Sequence, residues 1–357
     1  MSDSRTLYVS PDIPIELISN DRQWNTDTFE FIREIYHGHS SRIYVILDRQ
    51  SSMKLILKVY MKSKLGKYVK VTNVLEEIEN HRQLKHENII ELYAAFEDSK
   101  YYCLVLERGN DDLFGLLKRE LPEDFITEKI IKPLLDAVEY LHDEKRIIHR
   151  DIKPENILYC GKTIKLADFG LSINYSRNRP TTPCGTLSHM APEILVCQPK
   201  RYCKNGIPEP NSVPRKSYSV KVDVWSIGVL ACELLTGSTP YKSGTLNDTM
   251  QSICKSERIE LPTSVTPEAK DFIWRALTIS ESKRATIQEL KNHPWILGAS
   301  AFRLKLPRLR SVSQTWSRTS LIDESMQIEN DYSLVLPPLS PSSPSMDSMG
   351  SRRFKSS

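Results

Sequence analysis

Three residues between His149 and Leu158 are of types that could do chemistry together: a carboxylate at Asp151, a cation at Lys153 and an amide at Asn156. Apolar pairs bracket them, Ile147-Ile148 before and Ile157-Leu158 after. Two short strands holding a charged loop between them have that pattern. A loop fixed at both ends can aim all three side chains at one small volume, which suits catalysis by positioning. A plain polar turn has the same composition, so the elements around the loop must decide between the two.

Those elements alternate between β-like and helical patterning. Residues 1 to 28 show little periodicity and predict a flexible lead-in. From Phe29 a strand-like pattern begins, followed by the turn His37 to Ser41, a second strand over Ile43 to Leu47, and the apolar run Leu55-Ile56-Leu57 ending in Lys58. Thr72 to Lys85 has helical periodicity, with Val71, Val74, Leu75, Ile78 and Leu84 near a 3.6 spacing and acidic residues at Glu76, Glu77 and Glu79. Strands are predicted at Ile89 to Phe96 and Tyr101 to Leu106, and helices at Leu113 to Leu117 and Phe125 to His142.

Composition narrows the class. The hydrophobic share of 39% and charged share of 26% are ordinary for a soluble domain, and 357 residues suit one large two-lobed domain with tails. A net charge of +4 is too mild to indicate a direct nucleic-acid role. The 7 cysteines are scattered without a C-x2-C pair, which argues against a disulfide framework or zinc site. Neither a signal sequence nor an apolar run of roughly 18 residues is present, so no membrane span is expected and the cytoplasm or nucleus is the expected location.

The loop matches H-R-D-x-K-x-x-N, the catalytic loop of protein kinases, at every specified position. The chain resembles that family over residues 29–297. Asp168-Phe169-Gly170 follows twelve residues after Asn156, Ala191-Pro192-Glu193 closes the next segment, and Asn292-His293-Pro294-Trp295 stands at the far end. The resemblance implies an α+β, two-lobed fold: a small antiparallel β-rich lobe (29–106) and a larger, mainly helical lobe (107–297), followed by a disordered Ser/Pro-rich basic tail (298–357).

It also implies an ATP-dependent serine/threonine kinase acting on protein substrates with Mg²⁺. Asp151 then accepts the substrate hydroxyl's proton, Lys153 lies on the transferring phosphoryl group, and Asn156 and Asp168 are the metal ligands. Lys58 neutralises the α- and β-phosphates. Counting back from His86 selects Glu79 as its partner, with Glu76 as runner-up, and puts Gln83 at a normally apolar spine position. Ile35, Gly38, Ile43, Glu107, Arg108 and Leu158 surround the nucleotide, with Leu106 as gatekeeper. The fit is poorest at the phosphate-covering turn: Tyr36 and Ser41 replace two glycines of G-x-G-x-x-G, and Ile56 replaces the usual alanine.

The segment Arg179 to Thr186 resembles aurora, polo and calmodulin-dependent-like kinases, which makes Thr182 the activating phosphosite, modified by an upstream kinase or by autophosphorylation. Arg150 is its partner and Thr186 lines the acceptor site. Arg284 matches the arginine that pairs with Glu193. Glu155 permits a preference for basic residues upstream of the target. Residues 197–217 are a proline-containing basic insertion, expected to be a surface loop. A pseudokinase scaffold is the rival expectation, favoured by Tyr36, Ser41 and Ile56, and a small-molecule phosphotransferase is a third.

Overall fold

The computed structural model describes residues 4–19, 22–66, 69–116, 121–196, 216–241, 244–255 and 258–302. Strands β1 (Arg5–Val9), β2 (Phe29–His37), β3 (Ser41–Asp48), β4 (Lys54–Met61), β5 (Leu92–Glu97) and β6 (Tyr101–Leu106) form one antiparallel sheet, ordered β1-β5-β6-β4-β3-β2. Helix α1 (Val71–His81) packs on one side of it.

Strand β4 shows why the sheet needs a cover on both faces. With a side-chain period of two, Leu55, Leu57 and Val59 point one way and Ile56, Lys58 and Tyr60 the other. On the inner face Tyr60 meets Leu104 and the α1 residues Val74 and Ile78. On the outer face Leu55, Leu57 and Val59 join Ile46, Cys103 and Val105.

The outer cover comes from the amino-terminal segment, which corrects the expectation of a flexible lead-in. Leu17 and Trp24 are buried in the outer-face cluster, and β1 pairs with β5 through Thr6, Tyr8 and Val9. Arg22 reaches from this segment to Asp48 at 2.5 Å and lies 4.1 Å from the Trp24 ring centre. The Tyr8 hydroxyl donates to the Arg82 carbonyl at the carboxyl end of α1. Burying two large side chains and adding a strand outweighs the entropy of ordering the segment.

The larger lobe is helical. Helical turns run through Glu123–Ile126, Thr127–Ile131, Lys132–Glu139 and Tyr140–Glu144 and bury Ile130, Leu134, Val138 and Leu141, the stripe expected of an amphipathic helix. At the centre lies the helix Lys221–Thr236, buried nearly all round. A Cβ at Gly228 would stand 2.7 Å from that of Ala276, so only glycine lets the helix Pro267–Ala276 approach this closely. Arg284 donates to both Glu193 oxygens, at 2.6 and 2.8 Å, and to the carbonyls of Thr278 and Lys221. A buried pair this well bonded fixes the geometry of the Ala191-Pro192-Glu193 segment.

The helix Pro294–Phe302 continues past 297, where the disordered tail was expected to begin. The basic residues of the insertion other than Lys216, and the tail from 303, lie outside the described residues. Among the described residues no helix is long and apolar enough to cross a membrane.

Candidate active site

The catalytic loop hangs between the short strand Ile147–Ile148 and the strand Ile157–Cys160. Asp223, fully buried in the central helix, fixes its entry by accepting the backbone N–H groups of His149 (2.9 Å) and Arg150 (2.8 Å) and the His142 ring at 2.8 Å. Burial alone would raise the Asp223 carboxyl; its hydrogen bond from His142 and the histidines nearby overcome this and hold it below the usual carboxylate range. Arg150 stands at φ 71°, a left-handed conformation costing about 1–2 kcal/mol for a non-glycine residue, and the Asp223 anchor offsets that cost.

Asp151, Lys153 and Asn156 converge as expected, with Thr186 joining them. Asp151 Oδ1 accepts from the Thr186 N–H (2.9 Å) and hydroxyl (2.8 Å), while Oδ2 accepts from Asn156 Nδ2 at 3.0 Å. Lys153 Nζ donates to the Thr186 hydroxyl at 2.8 Å and stands 3.5 Å from Asp151 Oδ2. All four side chains are buried. Because the Asn156 Nδ2 is spent on Asp151, its side-chain carbonyl oxygen is the atom that could meet a cation. Asn156 is also tied through its backbone carbonyl to Ala167, beside Asp168.

Lys58 lies on β4, paired with Ile43 of β3 and Leu104 of β6. Its ammonium is 2.8 Å from Asp168 Oδ1 and 2.8 Å from Oε1 of Glu77. Glu77, not Glu79, is therefore the residue facing Lys58. The correction follows from helix phase: Val74, Glu77, Ile78 and His81 share the buried face of α1, whereas Glu79 points outward to Arg82 and Arg177. Glu77 also accepts from the Tyr60 hydroxyl at 2.5 Å. Burial and the Asp168 charge raise its carboxyl against the opposing pull of Lys58. Asp168 is the reverse case: burial would raise it, but Lys58 and the Gly170 N–H bring it well below the ordinary carboxylate range.

The same phase moves the spine position from Gln83 to His81. The His81 ring lies 4.7 Å from that of Phe169, and its Nε2 is 2.7 Å from the Ile90 carbonyl oxygen. Gln83 instead donates to the Glu79 carbonyl on its own helix. Burial lowers His81 from 6.5 to about 4. The unfolded chain thus binds a proton as pH falls through 6.5 while the folded chain stays neutral until about 4, so stability present above pH 6.5 is lost across that window. Denaturant unfolding at pH 7 and pH 4.5 is expected to show His81→Gln escaping a loss on the order of 2–3 kcal/mol that the parent suffers. Equal losses in both proteins would contradict this.

The remaining nucleotide-site candidates frame a cleft between the lobes. The register puts Ile43 on the Lys58 face of the sheet, and Ile35 lies at the β2 irregularity opposite it. Leu106 ends β6, and Glu107 donates its N–H to the Glu91 carbonyl while its carboxylate takes Lys165 at 2.8 Å. Arg108 is exposed. Leu158, on the strand Ile157–Cys160, closes on Gly109, where an added Cβ would be 2.8 Å from the leucine Cβ.

Thr182 is exposed in the segment after Phe169, and its side chain does not meet Arg150 directly. Arg150 donates to the Leu171 carbonyl (2.5 Å) and the Tyr218 hydroxyl (2.8 Å), which donates to the Thr182 carbonyl at 2.8 Å. Tyr60, His81 and Tyr218 were missed in the sequence. Tyr60 could have been found, since it lies two residues beyond Lys58 and so on the same strand face. Tyr218 carried no signal, standing just after the 197–217 insertion.

Two lobes, a lysine tied to two carboxylates and a buried aspartate in a loop define a nucleotide-dependent phosphotransferase with a protein-kinase fold. The family model described as the protein kinase domain matches residues 29–296, and the chain belongs to that family as a serine/threonine protein kinase. Its relatives include the Aurora kinase of Schizosaccharomyces pombe, 35% identical over 280 residues (77% of this chain, 73% of the relative). The Aurora kinase of Candida glabrata is 34% identical over 278 residues, covering 77% and 72%. Aurora kinase A-A of Xenopus laevis is 33% identical over 290 residues, covering 80% and 66%.

ATP and a divalent cation are implied by the family. The donor set fits a small hard cation: one carboxylate and one amide oxygen leave most coordination positions to water and phosphate, as Mg²⁺ prefers.

Proposed function

We propose that this kinase transfers the γ-phosphate of ATP to serine or threonine hydroxyls in proteins, with Asp151 orienting the hydroxyl and taking its proton. Lys153 stabilises charge developing on the transferred group, and Lys58 holds the α- and β-phosphates. Asn156 and Asp168 hold Mg²⁺, which when bound neutralises charge on the phosphates. Phosphorylation of Thr182, by another kinase or by this one, adds a group for Arg150 to pair with once it exchanges Tyr218 for the phosphate. The observation that carries the reading is Lys58 bonded at 2.8 Å to both Glu77 and Asp168, beside a buried Asp151 already aligned by Thr186. The sequence kinship supports an Aurora-like place in the family and a cytoplasmic or nuclear setting. The domain boundaries we propose are those of the matched region plus the amino-terminal strand and cover.

The substrate preference is for basic residues upstream of the target. Glu155 Oε2 is buried without a hydrogen-bond partner among the described residues, Glu233 Oε2 stands 3.3 Å from the His189 ring Nε2, and burial together with the charge of Glu233 raises Glu155 against the pull of Lys153. A guanidinium from the substrate would give Glu155 the partner it lacks and share Glu233 with His189. Phosphate incorporation from Mg²⁺–ATP into paired serine peptides, with and without upstream arginines, tests this. The basic peptide is expected to be preferred at least about tenfold, and Glu155→Gln with Glu233→Gln to erase most of that preference. Absence of all incorporation at every phosphorylation state, or incorporation that survives Lys58→Met, would sink the catalytic assignment. Equal use of both peptides would sink the preference alone.

A further inference from the structure

Tyr36 occupies the place where the phosphate-covering turn of the family has its first glycine, and the strand register sets it on the Lys58 face of the sheet. The β2–β3 register runs Glu34 against Tyr44 and then Tyr36 against Ile43, skipping Ile35. Such a bulge sets two consecutive residues opposite one and re-aims the side chains around it. Directly paired residues in an antiparallel ladder share a face, and Ile43 is in turn paired with Lys58. Tyr36 therefore stands on the same face of the sheet as the lysine that meets the phosphates.

Its ring is folded under the tip of the turn. A Cβ added to Gly38 would stand 2.7 Å from the Tyr36 hydroxyl oxygen and 2.8 Å from Cε1, so Gly38 is the residue that makes room for the phenol. The Gly38 N–H is meanwhile committed to the Ser41 carbonyl at 2.9 Å, closing the turn. The one glycine kept at this turn thus offers no amide to a phosphate, while a hydroxyl stands immediately beneath it.

We propose that the Tyr36 hydroxyl donates a hydrogen bond to a phosphate oxygen of the bound nucleotide, taking over part of the work that glycine amides do in related turns. The proposal rests on the ATP-site reading above. It makes Tyr36 a binding residue for the phosphates and not for the base or ribose, since the hydroxyl lies at the tip of the turn and the adenine end of the cleft is at Leu106 and Glu107.

Isothermal titration of the full chain with adenosine, ADP and ATP in Mg²⁺ buffer tests this in the parent and in Tyr36→Phe. The phenylalanine keeps the ring and removes only the hydroxyl. ADP and ATP are expected to bind about tenfold more weakly to the variant, the loss typical of one hydrogen bond to a charged group. Adenosine is expected to bind both proteins within about twofold, which also reports that the variant is folded. An equal loss for all three ligands, or none, overturns the proposal. Tighter ATP binding by Tyr36→Phe also overturns it and makes the phenol an obstruction. If the parent binds ADP and ATP no better than adenosine, the phosphate site itself is lost, a failure visible without reference to the variant.

Discussion

Asp151→Asn is expected to lower the rate of phosphate transfer by about 10²–10⁴-fold, the range for losing a positioned acid–base group, while leaving the KM for ATP within a few-fold. The split follows from where the residue sits. Asp151 bonds to Thr186, Asn156 and Lys153, whereas the contacts of Lys58 run to Glu77 and Asp168. An asparagine would also meet a conflict of donors. With its amide nitrogen at the Oδ2 position it would face Asn156 Nδ2, and with the amide flipped it would face the Thr186 N–H. Either orientation leaves one donor unmatched, at about 1–3 kcal/mol of stability. Steady-state kinetics against a protein substrate, run beside a thermal melt, separate the two effects. A variant that retains a tenth or more of the parent rate would remove Asp151 as the proton acceptor.

The catalytic loop was legible because its working residues are contiguous. Asp151, Lys153 and Asn156 lie within six positions, and strand ends on both sides leave the loop few ways to fold. Lys58 was legible for a related reason, since one strand and one hairpin connect it to Gly38. The partner on α1 was not, because a count from His86 assumes a fixed helix end, and this helix stops at His81. Its phase was nevertheless in the sequence: Val74 and Ile78 mark the buried face, and Glu77 lies on it.

The amino-terminal cover failed for the opposite reason. Leu17 and Trp24 are isolated apolar residues in an irregular segment, with no period to detect. The indirect sign lay in β4, where Leu55, Ile56, Leu57 and Val59 are apolar on both faces. A sheet that is apolar on both faces must be covered on both. Helix α1 supplies one cover, and the segment before Phe29 supplies the other.

Glu77 and Glu79 differ by two positions in sequence, and their substitution is expected to separate them by about two orders of magnitude in activity. Glu77 is buried against Lys58 and Tyr60, so Glu77→Gln removes the charge that holds the ammonium between the lobes. Lys58 is then left to Asp168, the proposed metal ligand, and the two demands on Asp168 compete. A fall of about 10²-fold in kcat/KM corresponds to about 2.7 kcal/mol of lost transition-state stabilisation, a little below the roughly 3–5 kcal/mol that breaking a buried pair costs. Glu79→Gln removes exposed contacts to Arg82 and Arg177, each worth about 1 kcal/mol or less, so it is expected to change kcat/KM by less than about fivefold. The residual effect of Glu79 should shrink further in high salt, because exposed pairs are screened, whereas that of Glu77 should persist. Kinetics of both variants at low and high ionic strength decide the matter. Equal losses, or a larger one at Glu79, would return the Lys58 partnership to the outer face of the helix and contradict the buried pair.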